Sequence, residues 1–238
     1  MITLYGSGTP NVQKILFFLG ETGLPYRLQR MHMLAGDGRT PEFRAINPNG
    51  KVPAIVDHNG PGGRPYTLFE SGAILLYLAE KTGRFWPQDM AERYDMIQWL
   101  MWQMAGVGPM FGQAIHFWIY APPEHQAYGR SRYYTELQRL AEVMENRLAA
   151  APYLAGDKFS LADIAVFPWT RRLPDVFGVK PEQHPNLVRW QAAIEARPGW
   201  QAVKTICQDL LREDLANTRA APADQIDRFM GRGPYARA

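Results

Sequence analysis

Three stretches of the sequence place polar residues where local chain geometry gives them chemistry. In Tyr5-Gly6-Ser7-Gly8-Thr9-Pro10-Asn11 a strand-like run gives way to a helix, with Thr9 as candidate N-cap and Pro10 at the first helical position. A helix start offers free N–H groups and the positive end of the dipole, which stabilise an anion such as a thiolate. The Thr9 hydroxyl and the Asn11 amide can each donate to that sulfur, or the two can simply cap the helix. In Asn49-Gly50-Lys51-Val52-Pro53-Ala54-Ile55 a proline stands at the start of a strand. There it can be cis and expose the Val52 backbone to a peptide-like ligand, or serve as an ordinary edge-strand proline. In Phe69-Glu70-Ser71-Gly72-Ala73-Ile74 a carboxylate and the N–H groups of a helix start stand together. Glu70 suits the ammonium and Ser71 the carboxylate of an α-amino acid; an acidic first turn facing the dipole is the plain alternative.

These residues need a scaffold, and the spacing of apolar positions supplies one. Residues 2–6 read as a strand and Pro10–Glu21 as a helix with Val12, Ile15, Leu16, Phe18 and Leu19 at helical spacing. Strands follow at 25–31, 52–56 and 66–69, the last two forming a hairpin, with a short helix at 41–45 and another at 70–81 that Gly83 ends. The order βαβαββα makes an α/β, thioredoxin-like domain over 1–84. From Met90 to Arg212 strand signals nearly vanish and helical patterns take over, giving an all-α domain at 90–212 and an extension at 213–238 that lies over the surface or is partly mobile. Gly106, Gly108 and Pro109 should bend or break the first long helix, and Ser160 with Asp163 fits a capping box, with Phe159 set to staple against Ile164. Trp99, Met101, Trp102, Met104, Met110, Phe111, His116, Phe117 and Trp118 form an aromatic and methionine stripe of the kind that packs between helices. The stretch after the Gly106–Pro109 break is the better place for an open apolar pocket, lined by Trp102, Met110, Phe111 and His116, with His116 either an acid/base group or a structural histidine.

Composition narrows the classes. With 46% hydrophobic and 21% charged residues the chain belongs among globular proteins. The 26 Lys and Arg are interleaved with 23 acids, which makes a solvated surface rather than a track for nucleic acid. The lone Cys207 gives neither a disulfide nor a metal cluster, and fits a reducing compartment. No apolar run reaches the length of a membrane span and the N-terminus does not read as a leader, so the expectation is a cytoplasmic protein with no metal, nucleic-acid or membrane partner.

The runs TPN at 9–11, NPNGKVPAIVDH at 47–58, LFESGAILLYLAEKTG at 68–83 and QWLMWQMAGVGPMFGQ at 98–113 resemble the cytosolic glutathione transferases, and among them the Nu class, whose members are similar to bacterial glutathione-dependent disulfide-bond reductases. The resemblance implies glutathione as cosubstrate, with Thr9 and Asn11 at its sulfur, Val52 (beside Pro53) pairing with the cysteinyl backbone, and Glu70 and Ser71 at the γ-glutamyl end. It also implies that Arg132 reaches a glutathione carboxylate and that the protein is a homodimer. The chain departs from the class at AGDGRTPEF, where Gly38 and Arg39 replace the usual glutamine and leave Arg39 or Lys51 for the glycyl carboxylate. No Tyr, Ser or Cys occupies the catalytic position of other classes unless Tyr5 or Ser7 serves. The expected activity is attack of the glutathione thiolate on a disulfide or thioether sulfur. Conjugation to an electrophilic carbon, as in conventional glutathione transferases, and a non-enzymatic ligand-binding role on the same fold are the alternatives.

Overall fold

The computed structural model describes residues 1–171 and 179–236. By packing, the chain divides into two compact units, one of Met1–Leu75 with Pro198–Ala238 and one of Leu76–Arg197.

The first unit is built on strands β1 (Ile2–Gly6), β2 (Tyr26–Arg30), β3 (Ala54–Asp57) and β4 (Tyr66–Phe69). They form one sheet in the order β2-β1-β3-β4. β1 runs parallel to β2 and antiparallel to β3, with Leu4 opposite Leu28 and Ile55, and β3 and β4 make the expected hairpin. Helix α1 (Pro10–Thr22) connects β1 to β2, α2 (Pro41–Ile46) precedes β3, and α3 (Ser71–Thr82) begins directly after β4. Every residue of α1 from Val12 to Leu19 is buried, which a helix with only one covered face would not show. Its second cover is a late helix of the same unit, here α9 (Pro198–Ala220), and a Cβ added at Gly20 would lie 2.2 Å from the Gly199 carbonyl oxygen. Glycines at both positions let the backbones meet.

Several boundaries differ from expectation. β3 starts at Ala54, not Val52, because Pro53 brings no N–H to a ladder; the Val52–Pro53 peptide is cis. α3 starts at Ser71, because Glu70 holds φ at 69°, outside the helical region. The stretch after Leu215 is not merely a surface strap: α9 continues to Ala220, and a further amphipathic helix, α10 (Ala223–Met230), packs on Met33–Ala35.

The second unit takes in α4 (Met90–Trp102), α5 (Gly108–Ile115), α6 (Pro123–Ala150), α7 (Leu161–Thr170) and α8 (Pro185–Glu195). The bend or break expected at Gly106–Pro109 is met by a π-helical turn at Gln103–Val107, and a second follows at His116–Tyr120, so the chain stays helical from α4 through Tyr120. The capping box forms at α7: Asp163 Oδ2 accepts from the Ser160 N–H at 2.9 Å, and Ser160 Oγ accepts from the Ala162 N–H at 3.3 Å. Asp163 Oδ1 also accepts from Leu154 N–H at 3.0 Å and Trp190 Nε1 at 2.8 Å, tying α7 to α8 and to the loop before it. The Glu145 carboxylate of α6 caps α8, accepting from the Asn186 and Leu187 N–H groups at 3.1 and 2.9 Å. The segment 172–178, within the expected helical stretch, lies outside the described residues.

Candidate active site

At the start of α1, Thr9 is the N-cap by position and backbone, with φ −71° and ψ 150°, and its carbonyl accepts from the Val12 and Gln13 N–H groups at 3.0 and 3.1 Å. Its side chain does not cap. Thr9 Oγ1 is buried with no hydrogen-bond partner among the described residues, and Ser7 Oγ and Gln13 Oε1, on the same short turn, share that condition. Buried polar atoms left in this state cost about 1–3 kcal/mol each and mark places where a ligand or water completes the bonding. Asn11 lies half-buried in the first turn beside them.

The turn is held from behind by α9. A Cβ on Gly8 would fall 2.5 Å from the Leu211 backbone, so only glycine allows this approach. The Gly8 N–H donates to Asp214 Oδ2 at 2.6 Å, and Asp214 in turn pairs with Arg30, which also reaches Glu213 at 3.4 Å. Gln13 Nε2 donates to the Gly8 carbonyl at 3.1 Å from the other side.

Val52 is half-buried just outside β3, joined to Pro53 through the cis peptide, and no hydrogen bond to its N–H or carbonyl occurs among the described residues. Glu70 is exposed and holds its left-handed conformation at a cost of about 1–2 kcal/mol for a non-glycine residue. Ser71, 3% exposed, follows at the start of α3. Lys51 is exposed, its ammonium 5.9 Å from the centre of the Phe229 ring on α10, and the Arg39 guanidinium donates to the Arg228 carbonyl of the same helix. Both candidates for the glycyl carboxylate are thus in contact with α10.

In the second unit, Arg132 is exposed on α6 and pairs with Glu136 at 3.6 Å. Trp102 is half-buried, edge-on to Trp99 with centroids 5.2 Å apart. Met110 is half-buried, and His116 sits in the second π-turn 5.3 Å from the Phe117 ring. Phe111 is 1% exposed and packs edge-on to Trp169, so it is core in this conformation and backs its neighbours rather than facing a ligand. A cavity of about 590 Å³ lies elsewhere in this unit, lined by Phe85, Trp86, Met96, Lys158 and Phe159 among others, and none of these four residues borders it.

The profile of the glutathione S-transferase N-terminal domain matches residues 9–81, and that of the C-terminal domain matches 109–198. The chain belongs to the glutathione S-transferase family. This transferase is 44% identical over 225 residues to the disulfide-bond oxidoreductase YfcG of Escherichia coli, covering 92% of this chain and 99% of that one. Among solved structures it resembles a glutathione transferase of Burkholderia graminis with two glutathione molecules bound per subunit (47% identity, 83% and 85% of the two chains, TM-score 0.78). It also resembles one of Pseudomonas putida with one glutathione disulfide bound per subunit (42% identity, 84% and 89%, TM-score 0.79).

Sequence reasoning missed three residues at or behind this candidate site. Gln13 and Lys14 stand in the apolar run of α1, and periodicity does not show that Gln13 turns to the Gly8 carbonyl and Lys14 to Ser71 at the start of α3. Asp214 is distant in sequence from the turn it holds, in a polar stretch that shows no apolar period. The one available signal was a lysine at position 14 inside VQKILFFL, where a surface-facing side chain would be expected only once per turn.

Proposed function

We propose that this transferase is a glutathione-dependent disulfide-bond reductase in which the start of α1 stabilises the glutathione thiolate. The observation that carries this reading is the Thr9 hydroxyl, buried at a helix N-terminus, unused as a cap and without a partner among the described residues. A thiolate there would take the Thr9 O–H, with the Asn11 amide and the helix dipole adding to its stability. The protein brings no sulfur of its own to the reaction, since Cys207 is fully buried on α9.

In the proposed cycle, glutathione binds with its cysteinyl backbone paired to Val52 beside Pro53, its ammonium on Glu70 and its α-carboxylate at Ser71 and the N-terminus of α3. Arg39 or Lys51 serves the glycyl carboxylate and Arg132 a further glutathione carboxylate. The thiolate attacks one sulfur of a disulfide; the new S–S bond forms as the old one breaks, and the leaving thiolate takes a proton from solvent. A second glutathione then attacks the mixed disulfide, releasing glutathione disulfide and the second thiol. Two electrons pass from two glutathiones to the substrate, and the relatives solved with two glutathiones or with the disulfide support such a sequence. Residues 1–84 are assigned to glutathione and 90–212, with Trp102, Met110 and His116, to the second substrate. We place the protein in the cytoplasm as a homodimer. Among the described residues no helix is long and apolar enough to cross a membrane.

The test is turnover of 2-hydroxyethyl disulfide by purified protein with glutathione, beside conjugation of 1-chloro-2,4-dinitrobenzene. Disulfide turnover well above the conjugation rate is the expected result. Conjugation without disulfide turnover overturns the reductase reading, and binding of glutathione without either reaction makes the protein a carrier.

A further inference from the structure

Arg39 and Lys51 spring from neighbouring stretches of backbone. Each follows a glycine, and the two glycines meet: a Cβ on Gly38 would fall 2.3 Å from the Gly50 carbonyl oxygen, and one on Gly50 would fall 2.3 Å from that of Gly38. Both side chains are exposed, and among the described residues neither pairs with a carboxylate. What each meets instead is α10. The Arg39 guanidinium donates to the Arg228 carbonyl, and the Lys51 ammonium stands 5.9 Å from the centre of the Phe229 ring.

Both contacts are of the kind a cation makes where no anion is at hand. Arg228 lies in the last turn of α10, which Gly231 ends at φ 67°, so its carbonyl stands at the negative end of the helix dipole and Arg39 caps it as a basic side chain does. The face of the Phe229 ring attracts the Lys51 ammonium through its quadrupole, weakly at an exposed position. A carboxylate is the stronger partner for both cations, since charge-assisted hydrogen bonds run about twice the strength of neutral ones. α10 itself is lightly held. It has eight residues, none buried, with Ile226, Phe229 and Met230 half-buried, and Gln225 Nε2 donates to the Leu34 carbonyl at 3.3 Å. A helix that short does not persist in water undocked, so its place on Met33–Ala35 depends on contacts that include the two cations.

We propose that α10 is a latch: it occupies Arg39 and Lys51 while the site is empty, and the glycyl carboxylate of glutathione displaces it by taking both cations. The inference rests on the glutathione reading above, with these two side chains at the glycyl end. On binding, the cations exchange a carbonyl and a ring face for a full negative charge, and α10 loses the contacts that keep it docked. Glutathione therefore binds more weakly than the open site allows, in proportion to the fraction of molecules with α10 in place. A ligand with no charge at that end leaves the latch closed.

The experiment measures binding by calorimetry for the full chain, a chain ending at Ala220, and Phe229→Ala. The ligands are glutathione and its glycine monoethyl ester, which lacks the glycyl charge. Ending at Ala220 removes no buried residue among the described ones and leaves α9 whole. The shortened chain is expected to bind glutathione about fivefold more tightly than the full chain, and the ester within about twofold. Phe229→Ala gains part of the difference and carries the comparison if the shortened chain does not fold. In the full chain, trypsin cleavage after Arg228 and Arg232 should quicken with saturating glutathione and not with the ester. Weaker glutathione binding by the shortened chain, an equal gain for both ligands, no change for either, or protection of α10 from trypsin by glutathione overturns the proposal and leaves the glutathione reading standing. Failure of both the full and the shortened chain to bind glutathione overturns that reading, and the inference with it.

Discussion

Replacing Asp214 probes how the site is held. Its carboxylate accepts the Gly8 N–H at 2.6 Å and pairs with Arg30, the two side chains being 30% and 19% exposed. In Asp214→Ala the buried Gly8 N–H loses its acceptor, and the close Leu211 backbone leaves little room for water to replace it. That loss costs about 1–3 kcal/mol, and the partly exposed ion pair adds about 1 kcal/mol, since Arg30 keeps Glu213. We expect about 3 kcal/mol in urea unfolding and, for a chain of 238 residues, a Tm lower by roughly 6–12 °C. Asp214→Asn keeps an acceptor oxygen for Gly8 and should cost only about 1 kcal/mol. Because Gly8 precedes Thr9, kcat/KM for disulfide reduction should fall in Asp214→Ala at temperatures where the protein is fully folded. The reasoning fails if Ala costs less than about 1 kcal/mol, or if Asn costs as much as Ala.

Asp163→Ala should cost about 3–5 kcal/mol in urea unfolding, since it strands the buried Leu154 and Ser160 N–H groups and the Trp190 indole N–H together; a cost near that of an exposed substitution would refute this. Lys14 makes stability depend on pH: its folded value of about 7 lies below the ordinary 10.5, so between these the unfolded chain holds a proton that the folded chain does not. Stability should therefore rise with pH through that window and be lowest below it, and Lys14→Met should abolish the slope and raise the urea midpoint at neutral pH. Glu70→Gly relieves the positive φ and should gain about 1 kcal/mol while weakening glutathione, a combination that thermal melts with and without glutathione will show.

The four strands and the early helices were legible because their apolar residues repeat at two or at 3.6 and their ends carry Thr, Pro and Gly. The start of α3 was misplaced by one residue because helix-forming sequence on either side of Glu70 hides a left-handed backbone. The reach of α9 to Ala220 was missed because its last turns are polar, spent on ion pairs to β2 and on the Gly8 N–H. For the candidate site, residue types pointed to Thr9, Glu70 and Ser71 from helix-start chemistry alone. Whether the Thr9 hydroxyl caps its own helix is a matter of side-chain direction, which no pattern encodes. Lys14 was hidden for a related reason: periodicity says that α1 is helical but not that this side chain meets Ser71 at the start of α3.

The most direct test of the account is the ionisation of glutathione bound to the protein, followed by ultraviolet absorbance of the thiolate against pH in wild type, Thr9→Val and Asn11→Ala. The account predicts a bound thiol titrating well below free glutathione in wild type, shifted back up by about one unit or more in each variant while glutathione still binds. A bound thiol that titrates like the free tripeptide, or one whose ionisation neither substitution moves, would contradict it.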